Sequence, residues 1–320
     1  MPELPEVEVV RRGLDSHVTG ATFTRVEALH PRAVRGNDVD LADVLPGRTI
    51  TGTGRRGKFL WLLLNDEGLE RSYERPNESQ DERPNEGQDE RPNENRAGHG
   101  LLVHLRMSGQ MLVGPIGGVT GLHVRIRAEM ISSTGEPFEL VFVDQRTFGS
   151  WQYVPLIAEE GQLVPATIGH IAPDPFESTF DPVATARAIR TKNSAIKTVL
   201  LNQGVVSGIG SIYADEALWA AGIKPTRKAR TLRQRDAVLL LSESRDVMAR
   251  ALEQGGTSFD SLYVNVNGAS GYFSRSLNAY GQAGKPCARC GTAIARTVVN
   301  GRSSYYCPVC QAGSVSQQRR

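Results

Sequence analysis

The chain has no long apolar segment, few cysteines and little net charge. Its 320 residues contain no run of about 18 apolar residues, as a transmembrane helix requires. The amino terminus carries acids where a signal peptide carries basic residues ahead of an apolar core, so we expect a cytoplasmic protein. A hydrophobic fraction of 39% over this length suffices for two domains, each with a buried core.

The net charge of +2 is unevenly distributed along the chain. Residues 65–99 hold eleven acids and five arginines, which leaves 32 basic and 24 acidic residues elsewhere. This basic excess favours a polyanionic partner.

The acidic segment is a repeat with a period of eight residues. The pattern Glu-Arg-Pro-Asn-Glu occurs at 74–78, 82–86 and 90–94. No aliphatic residue lies between Leu69 and Ala97, so the segment has too little to bury to offset its ordering entropy. We expect residues 65–99 to be a disordered surface insertion without a catalytic role; a regulatory or partner-binding role is the alternative.

The amino terminus carries a candidate nucleophile. Removal of Met1 would leave Pro2 as a free secondary amine, and an α-amino group titrates near a pKa of ~7.7–8.0. Such an amine attacks electrophilic carbon and forms an iminium intermediate. Helical spacing of the apolar residues that follow places Pro5 in a first helical turn and brings Glu3 and Glu6 close to the amine. The alternative is that both acids only complement a helix dipole.

The sequence before about residue 155 predicts mainly β-strands. The segment 122–130 alternates apolar and polar residues with a period of two, and shorter runs occur at 21–29, 59–64, 101–107 and 138–143. These runs predict a β-sandwich in which each sheet has one solvent-exposed face and one buried face. The stretch 155–182, rich in proline, glycine and acids, predicts a domain boundary.

The residues beyond this boundary read as helices. Two helices, the second from about 212 to 221, are joined by a glycine-rich turn at 204–210, which predicts a helix-turn-helix DNA-binding element or an ordinary helical hairpin. A longer helix is predicted to start at Thr231, with a Thr231–Gln234 capping box, and to end before Gly255.

All four cysteines lie near the carboxyl end, in two Cys-x2-Cys pairs that are sixteen residues apart: Cys287, Cys290, Cys307 and Cys310. Thiolates at this spacing can close a tetrahedron around Zn²⁺. With no ligand position open to substrate, the expected zinc is structural. Because four thiolates leave the site negatively charged, we expect Arg296 and Arg302 between the pairs to face outward.

Six separated segments together resemble bacterial formamidopyrimidine-DNA glycosylases, which remove oxidised purines in base-excision repair. They are Met1–Glu6, Arg56–Lys58, Met107–Gly109, Asp144–Gly149, the helical pair 192–219 and the cysteine quartet. The resemblance implies an α+β fold with an N-terminal helix and β-sandwich, a helix-two-turn-helix domain and a zinc-binding β-hairpin. The implied boundaries are 1–155 for the catalytic domain, 156–181 for a linker, 182–276 for the DNA-binding domain, 277–311 for the zinc finger and 312–320 for a flexible tail.

The resemblance also implies catalytic roles. Pro2 would attack C1′ of a nucleotide extruded from the duplex, and Glu3 would transfer protons. Lys58 would donate a proton in the first strand-cleaving elimination. Arg302 would grip phosphates and assist the second elimination.

DNA contacts follow from the same resemblance. Met107, Arg146 and Phe148 would fill the gap left by the extruded base. Lys192 and Lys197 bracket the first helix of the DNA-binding pair, and we expect phosphate contacts from Lys192 in particular. Ser211 lies in the turn that would hold a phosphate beside the lesion, and His123 is assigned to DNA contact. The segment 257–275 would close over the extruded base. We expect a monomer on duplex DNA.

Three positions depart from the family pattern. Ser211 stands where asparagine is usual, Arg106 where glycine is common, and Gly121 where a DNA-contacting histidine is often found.

Two rival functions are left open. One is a glycosylase of the endonuclease VIII type, which acts on oxidised pyrimidines; the Leu4-Pro5 start and the motif with Arg146 and Phe148 argue against it. The other is a catalytically weak protein that binds damaged DNA, which the departure at Ser211 favours.

Overall fold

The computed structural model describes residues 2–65, 96–256 and 276–312. The predictions for most of the repeat, for the segment 257–275 and for nearly all of the tail therefore lie outside the described residues.

The chain begins with helix α1, Leu4–Val18, with Pro5 in its first turn as the sequence predicts. Proline is tolerated there because its missing N–H has no helical acceptor. The apolar stripe of α1 is buried in the core of the first half, at Val7, Val10, Leu14 and Val18.

Two antiparallel sheets follow, and they confirm the predicted β-sandwich. In chain order the strands are β1 (Thr22–Ala28), β2 (Ile50–Arg56), β3 (Phe59–Leu64), β4 (Arg96–His104), β5 (Gly109–Gly114), β6 (Val124–Ile131), β7 (Pro137–Asp144), β8 (Ser150–Glu159) and β9 (Gln162–Pro165). One sheet has the order β1-β6-β7-β5, and the other has the order β2-β3-β4-β8-β9. A short helix α2, Leu41–Val44, packs against β1.

Two predicted boundaries are wrong at the residues the structure describes. Residues 96–99, assigned to the insertion, belong to β4, where Gly100 pairs with Leu63 and His99 with Pro155. The predicted linker begins too early, because β8 continues to Glu159 and β9 follows it. Pairing with neighbouring strands satisfies the backbone of both segments despite their polar and proline-containing sequence.

Four helices form the second core: α3 (Pro182–Arg190), α4 (Ile196–Leu200), α5 (Ser211–Ala220) and α6 (Gln234–Glu253). Helix α5 is apolar around most of its circumference and is buried accordingly. The predicted capping box of α6 is wrong: Thr231 lies in a 3-10 turn and its hydroxyl donates to Lys228 O, 2.8 Å away. None of the helices in the described ranges is long and apolar enough to cross a bilayer.

The last element is a β-hairpin of β10 (Ala295–Val299) and β11 (Arg302–Tyr306). Asn300 and Gly301 form its two-residue turn with φ angles of +48° and +75°. Asn-Gly favours this left-handed turn, which matches the twist of paired strands. The turn places Arg302 at the start of β11.

Candidate active site

The amino-terminal segment is clamped against the turn that precedes α5. Leu4 N donates to Gly208 O at 3.0 Å. The Glu3 carboxylate accepts hydrogen bonds from Gly210 N at 2.5 Å and from Ile212 N at 2.9 Å. Unpaired amides at a helix start attract an anion, so α5 fixes the carboxylate beside buried Pro2.

Gly210 is required by this clamp. A Cβ at residue 210 would lie 2.2 Å from Glu3 Cδ and 2.4 Å from its Oε1. Only a residue without a side chain lets the carboxylate reach the helix start.

Glu6 holds the same segment from the other side. Its Oε2 accepts from Glu3 N at 2.8 Å, and its Oε1 accepts from the hydroxyl of Tyr213 at 2.6 Å. The structure thus brings together the two acids that the sequence placed near Pro2.

The Glu3 carboxyl has the electrostatics of a proton-transfer group. Burial raises its pKa to about 7, with Glu6 acting in the same direction and Lys58 and the backbone amides opposing it. A carboxyl with this pKa exchanges a proton near neutral pH.

Lys58 reaches the same turn from the sandwich. It follows Gly57, whose φ is +56°, in the turn between β2 and β3, and its Nζ donates to Ile209 O at 2.9 Å. Burial lowers the pKa of Lys58; Glu3 opposes this shift and Arg302 reinforces it. Glu3, Lys58 and Arg302 therefore share one electrostatic environment.

A buried ion-pair network holds the turn that carries Lys58. Arg55 Nη1 donates to Asp174 Oδ2 at 2.6 Å, and Arg55 Nε donates to Glu8 at 2.9 Å. Asp174 Oδ2 also accepts from Gly57 N at 2.9 Å. Asp174 thereby fixes the backbone of the turn that carries Lys58.

The residues expected to fill the gap in DNA lie together on the sandwich. Arg146 Nη1 lies 3.5 Å from Met107 Sδ. The side chains of Met107 and Phe148 are 39% and 46% exposed, which leaves two large apolar groups available to a partner.

A buried carboxylate supports the two loops that carry these residues. Asp144 accepts from Ser108 Oγ at 2.5 Å, from Arg146 N at 3.1 Å and from Gly149 N at 2.7 Å.

The residues that precede Met107 and Phe148 have unusual backbone conformations. Arg106 and Thr147 have φ angles of +53° and +55°, a region that is costly for residues with a side chain. Glycine adopts this conformation without that cost, which explains why glycine is common in the family at the position of Arg106.

The structure places the expected phosphate-contact residues differently. Lys192 is exposed, Ser211 is the partly exposed first residue of α5, and His123 is half-buried beside Arg125. Lys197 is fully buried: its Nζ pairs with Asp215 Oδ1 at 2.9 Å and donates to Ser303 O at 2.7 Å. The predicted phosphate contact of Lys197 is therefore wrong, because its ammonium group is enclosed by protein partners.

The four cysteines form one cluster, with ligand atoms within 4.8 Å of one another. Cys287 Sγ lies 3.9 Å from Cys310 Sγ, and the indole Nε1 of Trp219 donates to Cys287 Sγ at 3.4 Å. Four thiolates at these separations fit a tetrahedral zinc, and the site is structural because protein groups provide all four ligands. Arg296 and Arg302 are exposed, as expected.

Sequence reasoning assigned no role to Asp144, Asp174 and Asp215. The signal for Asp215 was an acid inside the apolar helix SIYADEALWA, where a buried charge requires a partner. Asp174 stands between two prolines, a local context that gives no sign of partners in distant segments.

Comparison with known proteins agrees with these features. Residues 1–151 match the formamidopyrimidine-DNA glycosylase N-terminal domain, 171–262 the H2TH domain of the same enzymes, and 284–313 the zinc finger found in FPG and IleRS.

Similar proteins cover nearly the whole chain. The formamidopyrimidine-DNA glycosylase of Corynebacterium urealyticum is 50% identical, with 98% of this chain and 100% of the relative covered. That of Mycobacterium sp. (strain KMS) is 51% identical, with 97% of each chain covered. A solved complex of a mutant Lactococcus lactis FPG with Fapy-dG containing DNA has a TM-score of 0.77 and 28% identity, and it covers 98% of this chain and 100% of its own. The chain thus belongs to the formamidopyrimidine-DNA glycosylase family.

Proposed function

We propose that this chain is a bifunctional DNA glycosylase and abasic-site lyase that removes oxidised purines, including 8-oxoguanine and formamidopyrimidines, through Pro2. The observation that carries the proposal is the clamp on residues 2–6, in which buried Pro2 is followed by a carboxyl with a pKa near 7. The Fapy-dG in the DNA of the Lactococcus lactis complex supports the purine substrate.

The chemistry begins with the free amine of Pro2. Its nitrogen forms a bond to C1′ of the deoxyribose, the C1′–base bond breaks, and the departing base takes a proton. Ring opening of the sugar gives an iminium that joins Pro2 to C1′. Glu3 is the proton-transfer group, because its carboxyl exchanges protons near neutral pH and is held next to residue 2.

Strand cleavage proceeds by two eliminations. The iminium acidifies the C2′ proton, whose loss expels the 3′ phosphate, and loss of the C4′ proton then expels the 5′ phosphate. Lys58 donates a proton in the first elimination, since its Nζ is held beside the Glu3 clamp. Arg302 serves the second, where its exposed guanidinium neutralises the departing phosphate.

DNA binding requires an extruded base and a filled gap. Met107 and Phe148 replace the lost stacking, and Arg146 donates hydrogen bonds to the orphaned base. Lys192, His123 and Ser211 contact phosphates. Binding should therefore weaken steeply with salt, because Lys and Arg displace counterions from the duplex.

The proposed substrate is chromosomal DNA. The enzyme therefore acts at the nucleoid in the cytoplasm, and it acts as a monomer.

Borohydride trapping tests the proposal. Reduction during reaction with a duplex that contains 8-oxoguanine opposite cytosine should yield a covalent adduct, and peptide mass spectrometry should locate it on Pro2. Protein that retains Met1 is the matched control, because its residue 2 nitrogen is an amide, and it should form no adduct.

Three results would reject parts of this proposal. Full activity with Met1 retained removes Pro2 as the nucleophile. A clear preference for thymine glycol indicates the pyrimidine-specific rival. Tight binding without any adduct indicates a protein that only recognises damage.

A further inference from the structure

Helix α5 contacts the amino-terminal segment, the hairpin and the zinc domain at three levels along its length. Its first amides hold Glu3, and Asp215 in its middle holds the hairpin. At its carboxyl end, the Arg289 guanidinium donates to the carbonyls of Trp219 and Ala220 at 2.9 Å each. One rigid element thus connects the nucleophile end of the chain to the zinc domain.

The contact in the middle is a buried clamp on β11. Asp215 Oδ1 accepts from Ser304 Oγ at 2.7 Å, and Asp215 Oδ2 accepts from Tyr305 N at 2.9 Å. Lys197 completes it, since its Nζ binds both Asp215 and Ser303 O. Lys197, Asp215 and Ser304 are all 0% exposed, so each group depends on the others for its hydrogen bonds.

The clamp sets the direction of Arg302. Residues two apart on a strand face the same side, so Arg302 faces the side from which Ser304 binds α5. Two strand residues span about 7 Å, and the five helical steps from Gly210 to Asp215 span about 7.5 Å. The end of β11 leads into Cys307, whose cluster is bound by Trp219 near the carboxyl end of α5, so β11 runs in the same direction as α5. Arg302, at the start of β11, therefore lies near the level of the first turn of α5, where Glu3 is bound, and its effect on the pKa of Lys58 agrees with that position.

We infer that Lys197, Asp215 and Ser304 are positioning residues for the second elimination, because they hold Arg302 where the 5′ phosphate departs. This inference rests on the proposed function. The clamp contacts neither Pro2 nor the Glu3 carboxylate through any hydrogen bond among the described residues, so the earlier steps need it less.

The test separates the two eliminations on a duplex with a preformed abasic site, which bypasses base removal. Asp215→Asn and Ser304→Ala are assayed as zinc-loaded full-length protein, with zinc measured by mass spectrometry. The ratio of the aldehyde-ended product to the 3′-phosphate product should rise at least tenfold, while the rate of first cleavage stays within about threefold of the parent. Ser304→Ala removes a single hydrogen bond, so it remains informative if Asp215→Asn fails to fold.

Glu139→Gln is the matched control. It alters another buried carboxylate, Glu139, which pairs with the partly exposed Arg127 in the sheet of the sandwich, and it should leave the product ratio unchanged. An unchanged ratio in folded, zinc-loaded Ser304→Ala overturns the inference, as does a parallel fall of both eliminations. Failure of the parent protein to give a borohydride adduct would instead overturn the proposed function.

Discussion

Gly210→Ala should disable the enzyme by adding one methyl group at the helix start. The backbone of Gly210 has φ −122° and ψ −162°, which alanine adopts without strain. The added Cβ would nevertheless lie 2.2 Å from Glu3 Cδ. Carbon atoms in contact lie about 3.5 Å apart, so the carboxyl must retreat by roughly 1.3 Å.

Two losses follow from this displacement. The short bond from Gly210 N to Glu3 breaks, and a bond to a charged group contributes about 1.5–3 kcal/mol. A catalytic group that moves by about 1 Å can lose on the order of 100-fold in rate. We therefore expect base excision to fall about 100-fold and the free energy of unfolding to fall by about 2 kcal/mol.

Single-turnover excision of 8-oxoguanine and urea unfolding measure the two effects. Gly169→Ala is the matched control. Gly169 lies at the end of a 3-10 turn with a negative φ, and a Cβ at this residue would lie 3.6 Å from Ala166 O, an ordinary contact distance. If Gly210→Ala excises the base as fast as Gly169→Ala, the Glu3 clamp is not needed for catalysis and the reasoning fails.

Three further predictions concern pH, the ion-pair network and the repeat. Glu3→Gln should gain stability relative to the parent as the pH rises. The pKa of the Glu3 carboxyl is about 7 in the folded parent, whereas its ordinary value is 4.5. The folded state therefore holds this proton more tightly than the unfolded state, and the resulting contribution to the free energy of unfolding is complete below pH 4.5. As the pH rises to 7, this contribution of about 3 kcal/mol is lost. Asp174→Asn should lower the free energy of unfolding by about 3 kcal/mol, because it leaves buried Arg55 with a weaker partner. Replacement of 67–95 by Asn-Gly should leave excision unchanged, because β3 and β4 already pair as neighbours.

Each of these has a result that contradicts it. Urea unfolding at pH 5 and pH 8 that gives the same difference between Glu3→Gln and the parent rules out a raised pKa. Asp174→Asn that unfolds like Glu129→Gln, an exposed-pair control, shows that the network adds nothing. A rate loss of more than threefold without the repeat shows that it contributes to the reaction.

The sequence by itself predicted the chemistry that we propose and the zinc site. Pro2 followed by Glu3, the cysteine spacing and the motif around Arg146 are short local patterns, and each requires particular residue types in a particular order. Alternation in 122–130 likewise predicted β6, because the side-chain period of a strand can be read from neighbouring residues.

Only the tertiary structure decided which charges face solvent and which carboxyls serve as supports. Lys197 has the sequence context of a phosphate ligand, yet it is buried on Asp215, eighteen positions further along the chain. Residues 96–99 adjoin the repeat, and the sequence assigns them to the insertion, but they pair with β8. The pKa of Glu3 depends on burial under α5, which lies more than 200 residues away in sequence. These properties arise from partners that are distant in sequence, and local patterns carry no information about such partners.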